Sequence, residues 1–471
     1  MRDNAYEKLY EIERKYNVEG IKYDGICLWP FIRNDLYMEY ELYEEISSGM
    51  ELWSTRYKKN ESKFVRLLNS IRVSSPGLFN LKHADLLYTD SGQQRYCNGR
   101  YIEKITNEIL KNTEKLIPVV GFSSNTQIRF TDKYIDQDVI RYIGAIGSRI
   151  LKFDETKYEG RQTADRIYAE LGLKNNLRQM TLRLLTLIKF YRKWFARIKP
   201  GYIYMVSYYE LDKLAAIYAA KEMHIPVIEF SHGIIMHSHT AYNTEKKIEK
   251  APYPDFLFVF GERFKTFVSE KIYDKNAVKV IGNYYIEELK AAKSKNTELF
   301  NKKYRNWNGK CIITVASQTY LDKELLKFFI QFARRQDQYS IVFVPRLMKP
   351  YHKKVKERNL VIESELDVYQ CMQNSDLTAT VASSCAYESL AFGTPVILVK
   401  INDTAKNMKL DFFPDTKSVM LVEDMEKMEA CLKHLAGINE NAVLEESRKF
   451  FGSGHKQLLK QAMHEVLSEF E

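Results

Sequence analysis

Short apolar runs alternate with amphipathic segments along the second half of the chain. Runs of four to seven mostly apolar residues, bounded by turn residues, indicate buried strands. The segments between them repeat apolar residues every three or four positions, which predicts helices. The predicted strands are 202–207, 226–230, 256–260, 277–282, 311–317, 340–345, 361–364, 377–382 and 395–400. Strands that alternate with helices in this way form a parallel sheet with helices on its faces.

The first 200 residues show this alternation less clearly, because long polar helices are mixed with short apolar strands. Strands are predicted at 23–28 and 116–122, and a long helix over 34–72. A basic amphipathic helix is predicted over 175–198. We expect this helix to pack on the core with its basic face outward; contact with a membrane surface is the alternative.

A polar, lysine-rich stretch over 284–310 separates two alternating series and is expected to be a partly helical linker. We therefore predict an α/β protein of two doubly wound, Rossmann-like domains that face each other across a cleft. The predicted boundaries are 1–285 for the N-terminal domain and 306–450 for the C-terminal domain. A last helix over 451–471 is expected to pack back toward the N-terminal domain.

The 471 residues carry 71 Lys and Arg against 61 Asp and Glu, which gives a formal net charge of +10. This excess fits an anionic partner such as a nucleotide, a lipid-linked phosphate or the inner membrane face. It is spread along the chain, as in any basic protein, and no nucleic-acid-binding motif accompanies it. The 32 tyrosines suit a carbohydrate-binding cleft, although core and surface packing explains most of them.

The chain has no run of 18 apolar residues, so no membrane-spanning helix is expected. Its charged N-terminus lacks the apolar stretch of a secretory signal. The six cysteines are scattered without metal-site spacing, which is typical of reduced thiols in the cytosol. We expect a cytoplasmic protein, either free or at the inner face of the membrane, without a bound cofactor.

The segment 376–399 reads as strand, tight turn, short helix, Gly-x-Pro turn and second strand. Ser383 and Ser384 stand at the start of that helix, and Glu388 lies one turn beyond Ser384 on the same face. Hydroxyl groups and unpaired N–H groups at a helix start suit a phosphate, and a carboxylate suits the two hydroxyls of a ribose. The alternative is that the serines only cap the helix and Glu388 is a solvated surface acid.

Three of the nine histidines, His232, His237 and His239, lie in the loop 229–242, which follows a predicted strand. Their spacing has no acidic or cysteine partner of a known metal site, so no metal is expected. A neutral imidazole can take the proton of an attacking hydroxyl or contact a phosphate. His232 and His239 are therefore candidate catalytic residues; the alternative is that His232 is a structural histidine at a strand end.

Further candidates follow the ends of other predicted strands, where α/β domains bind their ligands. Those expected to contact phosphate or nucleotide are Arg346, Gln318, Thr319, Gly282 and Asn283. Those expected to contact an acceptor sugar or phosphate are Trp29, Arg33, Tyr242 and Glu262. The chain lacks the GxGxxG, Walker A, GxSxG and HExxH motifs.

These segments resemble GT-B fold glycosyltransferases of bacterial surface polysaccharide synthesis, of the capsular or O-antigen type. The matching residues are His232, Gly233, His239, Tyr242, Pro254, Asp255, Gly261, Glu262, Ile281, Gly282 and Asn283. The Ser-Ser helix also resembles the nucleotide site of sialyl- and Kdo-type transferases and of CDP-glycerol glycerophosphotransferases. Those relatives carry Lys-Pro-His-Pro before the helix, where this chain has only Pro345 and Arg346 in a Val-Pro-Arg-Leu sequence.

The resemblance implies an inverting, metal-independent glycosyltransferase that moves a sugar from a nucleotide-sugar donor to a cell-surface glycan or a lipid-linked acceptor. The N-terminal domain would bind the acceptor and the C-terminal domain the donor. Two alternatives stay open: a CDP-polyol phosphotransferase of the teichoic-acid type, and a non-catalytic sugar- or nucleotide-binding protein. A sugar-nucleotide epimerase is less favoured, because no pair of acidic residues is clearly placed to abstract a proton.

Overall fold

The computed structural model describes residues 5–47, 63–78, 83–97, 99–113, 115–121, 127–304, 307, 310–318, 321–346 and 355–470. The chain divides into two units. Unit 1 combines Met1–Val259, Phe264–Ile281 and Lys456–Glu471, and unit 2 combines Phe260–Arg263 and Gly282–His455. The first unit thus ends a few residues before the predicted boundary at 285, and it includes most of the last helix.

Unit 1 is built on a seven-stranded parallel sheet with two small antiparallel sheets beside it. Its strands are β1 Lys22–Tyr23, β2 Ile26–Cys27, β3 Asp85–Asp90, β4 Gln94–Cys97, β5 Arg100–Glu103, β6 Leu116–Gly121, β7 Ile135–Asp136, β8 Tyr158–Glu159, β9 Ile203–Val206, β10 Val227–Phe230, β11 Phe256–Val259 and β12 Val278–Val280. Its main sheet runs β12-β11-β10-β9-β3-β6-β7. Because β3 is the first of these seven strands and β9 the fourth, the chain reverses its direction of travel between them, as in a Rossmann fold.

In the described part of the chain, eight α-helices precede β10, and the last helix returns to the same unit. Their bounds are α1 Ala5–Lys15, α2 Trp29–Ser47, α3 Lys63–Leu78, α4 Asn107–Asn112, α5 Gln137–Ile150, α6 Arg161–Glu170, α7 Leu177–Ile198 and α8 Leu211–Glu222, followed by the short α9 Glu262–Lys265. The last helix of the chain, α18 His455–Phe470, packs Leu459 and Val466 onto apolar residues of the main sheet, including Phe258. This burial of apolar side chains anchors the C-terminus in unit 1.

Unit 2 is a six-stranded parallel sheet in the order β15-β14-β13-β16-β17-β18. Its strands are β13 Cys311–Ala316, β14 Tyr339–Val344, β15 Leu360–Ile362, β16 Leu377–Thr380, β17 Val396–Val399 and β18 Val419–Val422. Its helices are α10 Tyr284–Ala291, α11 Lys293–Tyr304, α12 Asp322–Arg335, α13 Val368–Met372, α14 Cys385–Leu390, α15 Asp403–Asn407, α16 Met425–Ala436 and α17 Glu440–Ser447. The first and fourth strands of this sheet, β13 and β16, are again neighbours, and the chain again reverses its direction of travel between them. In each sheet we call the place between these two strands the switch point.

The predicted fold class, two doubly wound Rossmann-like domains of the GT-B type, is confirmed by these two sheets. The predicted linker differs, because α10 and α11 fold into unit 2: Phe300 and Tyr304 are buried against Val342 of its sheet. The predicted strand 23–28 is a hairpin of two short strands. The predicted helix 34–72 corresponds to parts of α2 and α3, and 48–62 lie outside the described residues.

Candidate functional site

At the switch point of unit 2, the side chain of Gln318 links the segment after β13 to the segment after β16. Its Nε2 donates to the carbonyl of Ala382 at 3.0 Å, and its Oε1 accepts from the N–H of the same residue at 3.0 Å. Ala382 follows β16 and directly precedes Ser383 and Ser384. The two hydrogen bonds therefore hold the Ser-Ser turn at the carboxyl edge of the sheet, where ligands bind in open α/β folds.

Glu388 lies under this turn and is only 4% exposed. Its Oε2 accepts hydrogen bonds from the hydroxyls of Tyr369 at 3.2 Å and Ser384 at 3.3 Å. No residue in the described part of the chain donates to Oε1 of Glu388. The interpretation of Glu388 as a solvated surface acid is therefore wrong. Ser383 is buried, and its Oγ accepts from the N–H of Cys385 at 3.4 Å, just before α14, whose N-cap residue is Ser384.

The other predicted donor residues are more dispersed. Arg346 is exposed just beyond β14, one strand outward from the switch point, and Thr319 lies outside the described residues. Gly282 has φ +70°, and a Cβ there would lie 2.6 Å from the carbonyl oxygen of Gly452. Asn283 caps α10 by accepting from the N–H of Ile286 at 3.1 Å. The last two residues thus have local structural roles.

The switch point of unit 1 holds His232, which follows β10 by two residues. Its Nδ1 lies 2.9 Å from Oγ of Ser207, the first residue after β9. Ser207 has φ +60°, a left-handed conformation that costs free energy for a residue with a Cβ. The ammonium of Lys213 stabilises this turn by donating to the carbonyls of Val206 at 3.1 Å and Ser207 at 2.9 Å.

The two candidate histidines lie close together with Tyr209 beside both. The ring centroids of His232 and His239 are 6.4 Å apart, and Tyr209 lies 6.4 Å from the first and 5.7 Å from the second. Burial lowers the pKa of His232 to about 3, helped by the nearby His239 and Lys104. Burial likewise lowers the pKa of His239 to about 4. Both imidazoles are therefore neutral at physiological pH.

The atom of His232 available for chemistry is Nε2, which has no hydrogen-bond partner within the described ranges. When Nδ1 donates its proton to Ser207, Nε2 carries a lone pair and can accept a proton. Ser207 is not among the candidate residues predicted from the sequence. Its position at the end of a predicted strand is the signal that would have identified it.

Three residues predicted to bind the acceptor are instead buried: Trp29 and Arg33 outside the histidine loop 229–242, and Tyr242 within it. Arg33, 0% exposed, donates to Oε1 of Glu13 at 2.8 Å and to the carbonyls of Thr240 and Asn243. Trp29 donates to the same Glu13 oxygen at 2.9 Å. Side chains enclosed in this way have no polar group to offer a ligand, so Trp29 and Arg33 position the loop.

Tyr242, also predicted at the acceptor, is buried in the same way and donates its hydroxyl to Glu229 at 2.8 Å. Glu262 is exposed, but it belongs to unit 2 and not to the predicted acceptor domain. Gly233 does not have a positive φ, and a Cβ there would meet no atom within 4 Å. The backbone at 233 therefore does not itself require a glycine.

A polar network lies beside the histidines at the start of α8. Nε2 of Gln137 donates to Glu210 and to Asp212, both at 2.8 Å, and Arg141 pairs with Glu210 at 3.0 Å. Although burial opposes it, the charges of Lys213 and Arg141 lower the pKa of Glu210 to about 2. Across the described residues, no group of three or more His, Cys, Asp or Glu side chains is placed to hold a metal ion.

No helix in the described part of the chain combines the length and apolar character needed to cross a membrane. No protein-family profile and no curated protein matches the sequence. The chain is similar to UDP-GlcNAc 2-epimerase from Neisseria meningitidis, with 13% identity over 82% of this chain and 100% of the other, and a TM-score of 0.46. It is also similar to the Methanocaldococcus jannaschii UDP-GlcNAc 2-epimerase, with 12% identity over 81% and 99% of the two chains and a TM-score of 0.47.

A third similar structure is a kitacinnamycin glycosyltransferase, with 11% identity over 83% of this chain and 99% of the other, and a TM-score of 0.45. At these identities and TM-scores the similarities assign the chain no activity and no substrate. The protein has two parallel sheets with a Rossmann strand order, and each sheet has a group of polar residues at its switch point. These residues are Gln318, Ser384 and Glu388 in unit 2, and Ser207 and His232 in unit 1.

Proposed function

We propose that the protein is an enzyme that binds a nucleotide-activated sugar in unit 2 and transfers the sugar to an acceptor hydroxyl bound by unit 1. The observation that carries the proposal is Glu388. Only Oε2 of this largely buried carboxylate accepts hydrogen bonds from the described residues, and Oε1 is not among the enclosed polar atoms, so it stays accessible to a donor from a ligand. A ribose diol would supply donors to the other oxygen, next to a turn that Gln318 holds in place.

The phosphates of the donor would lie at the Ser-Ser turn. Backbone N–H groups at the start of a helix, together with the hydroxyl of Ser384, are suitable donors to phosphate oxygens. The exposed guanidinium of Arg346, beyond the adjacent strand, would supply positive charge to the same edge of the sheet. These contacts stabilise the negative charge that develops on the departing nucleotide diphosphate.

In unit 1 we assign His232 as the general base. The acceptor oxygen attacks the anomeric carbon of the sugar and forms the new glycosidic bond. The bond from that carbon to the phosphate oxygen breaks, and the nucleotide leaves with the electron pair. The acceptor proton moves to Nε2 of His232, whose ring Ser207 holds through Nδ1. A single displacement of this kind inverts the anomeric configuration.

The first test is nucleotide binding by the wild-type protein and by Glu388→Gln. Isothermal titration with UDP, CMP, CDP, GDP and their sugar conjugates, with and without EDTA, is expected to show one selective nucleotide. Glu388→Gln keeps a carbonyl oxygen for Tyr369 and Ser384 but loses the charge, so the donor Kd should rise about tenfold or more. Glu426→Gln, an exposed acid of unit 2, is the matched control.

Binding that Glu388→Gln leaves unchanged, or no binding of any nucleotide by the wild type, would overturn the assignment of this site. A CDP-polyol as the preferred ligand would instead identify the teichoic-acid type of phosphotransferase. Tight binding with no turnover would identify the non-catalytic alternative.

The second test follows the fate of the bound sugar by NMR. His232→Ala should lower kcat about a hundredfold or more while leaving the donor Kd unchanged, because a general base contributes in the transition state. His237→Ala is the control on the same loop, since its side chain is exposed. Normal turnover by His232→Ala would refute the assignment of the base. Epimerisation of the sugar without transfer would refute the transferase and leave the nucleotide-sugar site standing.

We further propose that the acceptor is a cell-surface glycan, either free or lipid-linked, and that the reaction takes place in the cytoplasm at the inner face of the membrane. The net charge of +10 supports this setting, because the inner leaflet is anionic. Cell fractionation with an active, tagged protein would test it: recovery outside the cytoplasmic and membrane fractions would contradict this proposal.

A further inference from the structure

A groove crosses the surface of unit 1 beside the candidate histidines. Its first part, a cavity of ≈ 350 Å³, is lined by Tyr37, Met236 and His239 among others. Its second part, a cavity of ≈ 520 Å³, lies between α2, the first turns of α7 and the start of α8. Asn34, Met38 and Tyr209 line both cavities, so the two parts of the groove adjoin each other.

Two side chains of opposite charge line the second cavity without pairing. The carboxyl group of Asp35 makes no hydrogen bond or ion pair with any residue that the structure describes. Nε of Arg183 is enclosed and has no hydrogen-bond partner there. Burial raises the pKa of Asp35 to about 6, and the positive charge of Arg183 opposes that rise, so the two groups interact electrostatically without a direct contact. A donor and an acceptor thus remain unsatisfied in the same cavity.

The neighbouring polar groups are satisfied by one another and form a fixed wall. Glu39 accepts from the amide of Asn176 at 3.3 Å, and Arg141 pairs with Glu210 at 3.0 Å. Asn34 accepts from the hydroxyl of Thr240 at 3.0 Å. The groups left to bind a ligand include Asp35, Arg183 and the exposed amide of Gln179, together with the ring of Tyr209, which is shared by both cavities.

This lining discriminates between classes of ligand. Four carboxyl groups against two guanidinium groups line the second cavity, which disfavours a phosphate or another anion. The unpaired guanidinium of Arg183 disfavours a cation. A neutral hydroxyl both donates and accepts, so adjacent hydroxyls of one sugar can satisfy Asp35 and Arg183 together. An aromatic ring with a hydroxyl tip provides a surface on which a pyranose can stack.

We propose that this groove binds a neutral saccharide chain of more than one sugar unit. One unit is held by Asp35 and Arg183, and the chain passes Tyr209 toward His239 and His232. The inference rests on the proposed transfer reaction, because it identifies the saccharide as the acceptor and places its terminal hydroxyl near His232. It adds that the acceptor is recognised through uncharged sugar units and not through a phosphate.

The test measures saccharide binding without any donor. The full-length protein is applied to an array of immobilised neutral oligosaccharides and phosphorylated oligosaccharides, and the Kd of each retained glycan is measured in solution. We expect retention on a subset of neutral glycans. Asp35→Asn and Arg183→Met should each weaken that binding about ten- to a hundredfold, because each removes a hydrogen bond to a charged group. Lys189→Met, an exposed cation on α7 outside the groove, should not change it.

No retention on any neutral glycan, stronger retention on the phosphorylated ones, or equal binding by all variants would overturn the proposal. Arg183→Lys keeps the charge but loses the planar arrangement of donors, so it should weaken binding to an intermediate degree. It replaces Arg183→Met as the test if that variant does not fold. Nucleotide titration of the same samples distinguishes the two proposals. An absence of nucleotide binding would contradict the proposed site in unit 2, whereas an absence of glycan binding would contradict the proposed groove.

Discussion

Glu229, in the middle of the unit 1 sheet, should make the stability of the protein depend on pH. Its carboxyl group is fully buried and accepts hydrogen bonds from the hydroxyls of Tyr242 at 2.8 Å and Tyr273 at 2.6 Å. Burial raises the pKa of Glu229 to about 7, even though these hydrogen bonds oppose the shift. The folded protein therefore holds a proton on Glu229 that the unfolded chain releases near pH 4.5.

The sign and the magnitude follow from this difference. A carboxyl group whose pKa is raised by folding contributes its full stability below the unfolded pKa, and loses it as the pH rises through the folded pKa. A shift from 4.5 to about 7 corresponds to about 3 kcal/mol, of which about 2.5 kcal/mol is lost between pH 5 and pH 8. Glu229→Gln keeps an oxygen for the tyrosines but cannot ionise, so it should lack this loss.

The assay is urea denaturation of the wild type and Glu229→Gln at pH 5, 6, 7 and 8. Between pH 5 and pH 8, the free energy of unfolding of the wild type should fall by about 2.5 kcal/mol relative to that of the variant. His232 and His239 act in the opposite direction, because their lowered pKa values cost stability as the pH falls below 6.5. They are present in both proteins, so the difference isolates Glu229.

Glu249→Gln, an exposed acid of the same unit, is the control and should follow the wild type at every pH. An infrared difference spectrum provides a second readout, since the C=O band of a protonated buried carboxyl should disappear near pH 7 in the wild type alone. Parallel stability curves for the wild type and Glu229→Gln would refute the reasoning, because they would show that Glu229 ionises equally in the folded and unfolded protein.

Two further predictions concern structural residues. Arg33→Met leaves the buried charge of Glu13 without its partner and should destabilise unit 1 by about 3–5 kcal/mol in thermal unfolding; an unchanged melting temperature with lost acceptor binding would instead restore Arg33 to the acceptor site. Gly282→Ala should destabilise unit 2 by about 1–3 kcal/mol, because its φ is +70° and the added Cβ meets a carbonyl oxygen. Gly233→Ala, where nothing lies within 4 Å, should be close to neutral, and equal effects of the two substitutions would contradict this account.

The strands from β9 onward were recognisable in the sequence because parallel strands covered by helices on both faces are apolar along their whole length. In β9, β10 and β17 every residue is buried, and each coincides with a predicted strand. The central strand β3 was missed because charged residues stand at both ends of its short apolar run. Local patterns did not reveal that α10 and α11 belong to unit 2, since their polar faces are typical of a linker.

Some candidate residues could be identified from local sequence, whereas others are brought together only by the fold. Ser384 and Glu388 were found from sequence because their relation is local, one turn of a helix apart. The bond between Ser207 and His232 joins residues 25 positions apart and exists because β9 and β10 are paired. The burial of Arg33 against Glu13 and the loop likewise depends on contacts between segments up to 210 positions apart.

The sequence by itself therefore determined the fold class, most of the strands and the positions of the chemistry-bearing turns. Those features depend on the period of apolar residues and on turn chemistry, both of which are local. Only the tertiary structure decided the order of the strands, which side chains are enclosed and which face the groove. Those properties depend on packing between distant segments, and a buried Trp29 and an exposed tryptophan have the same letter in a sequence.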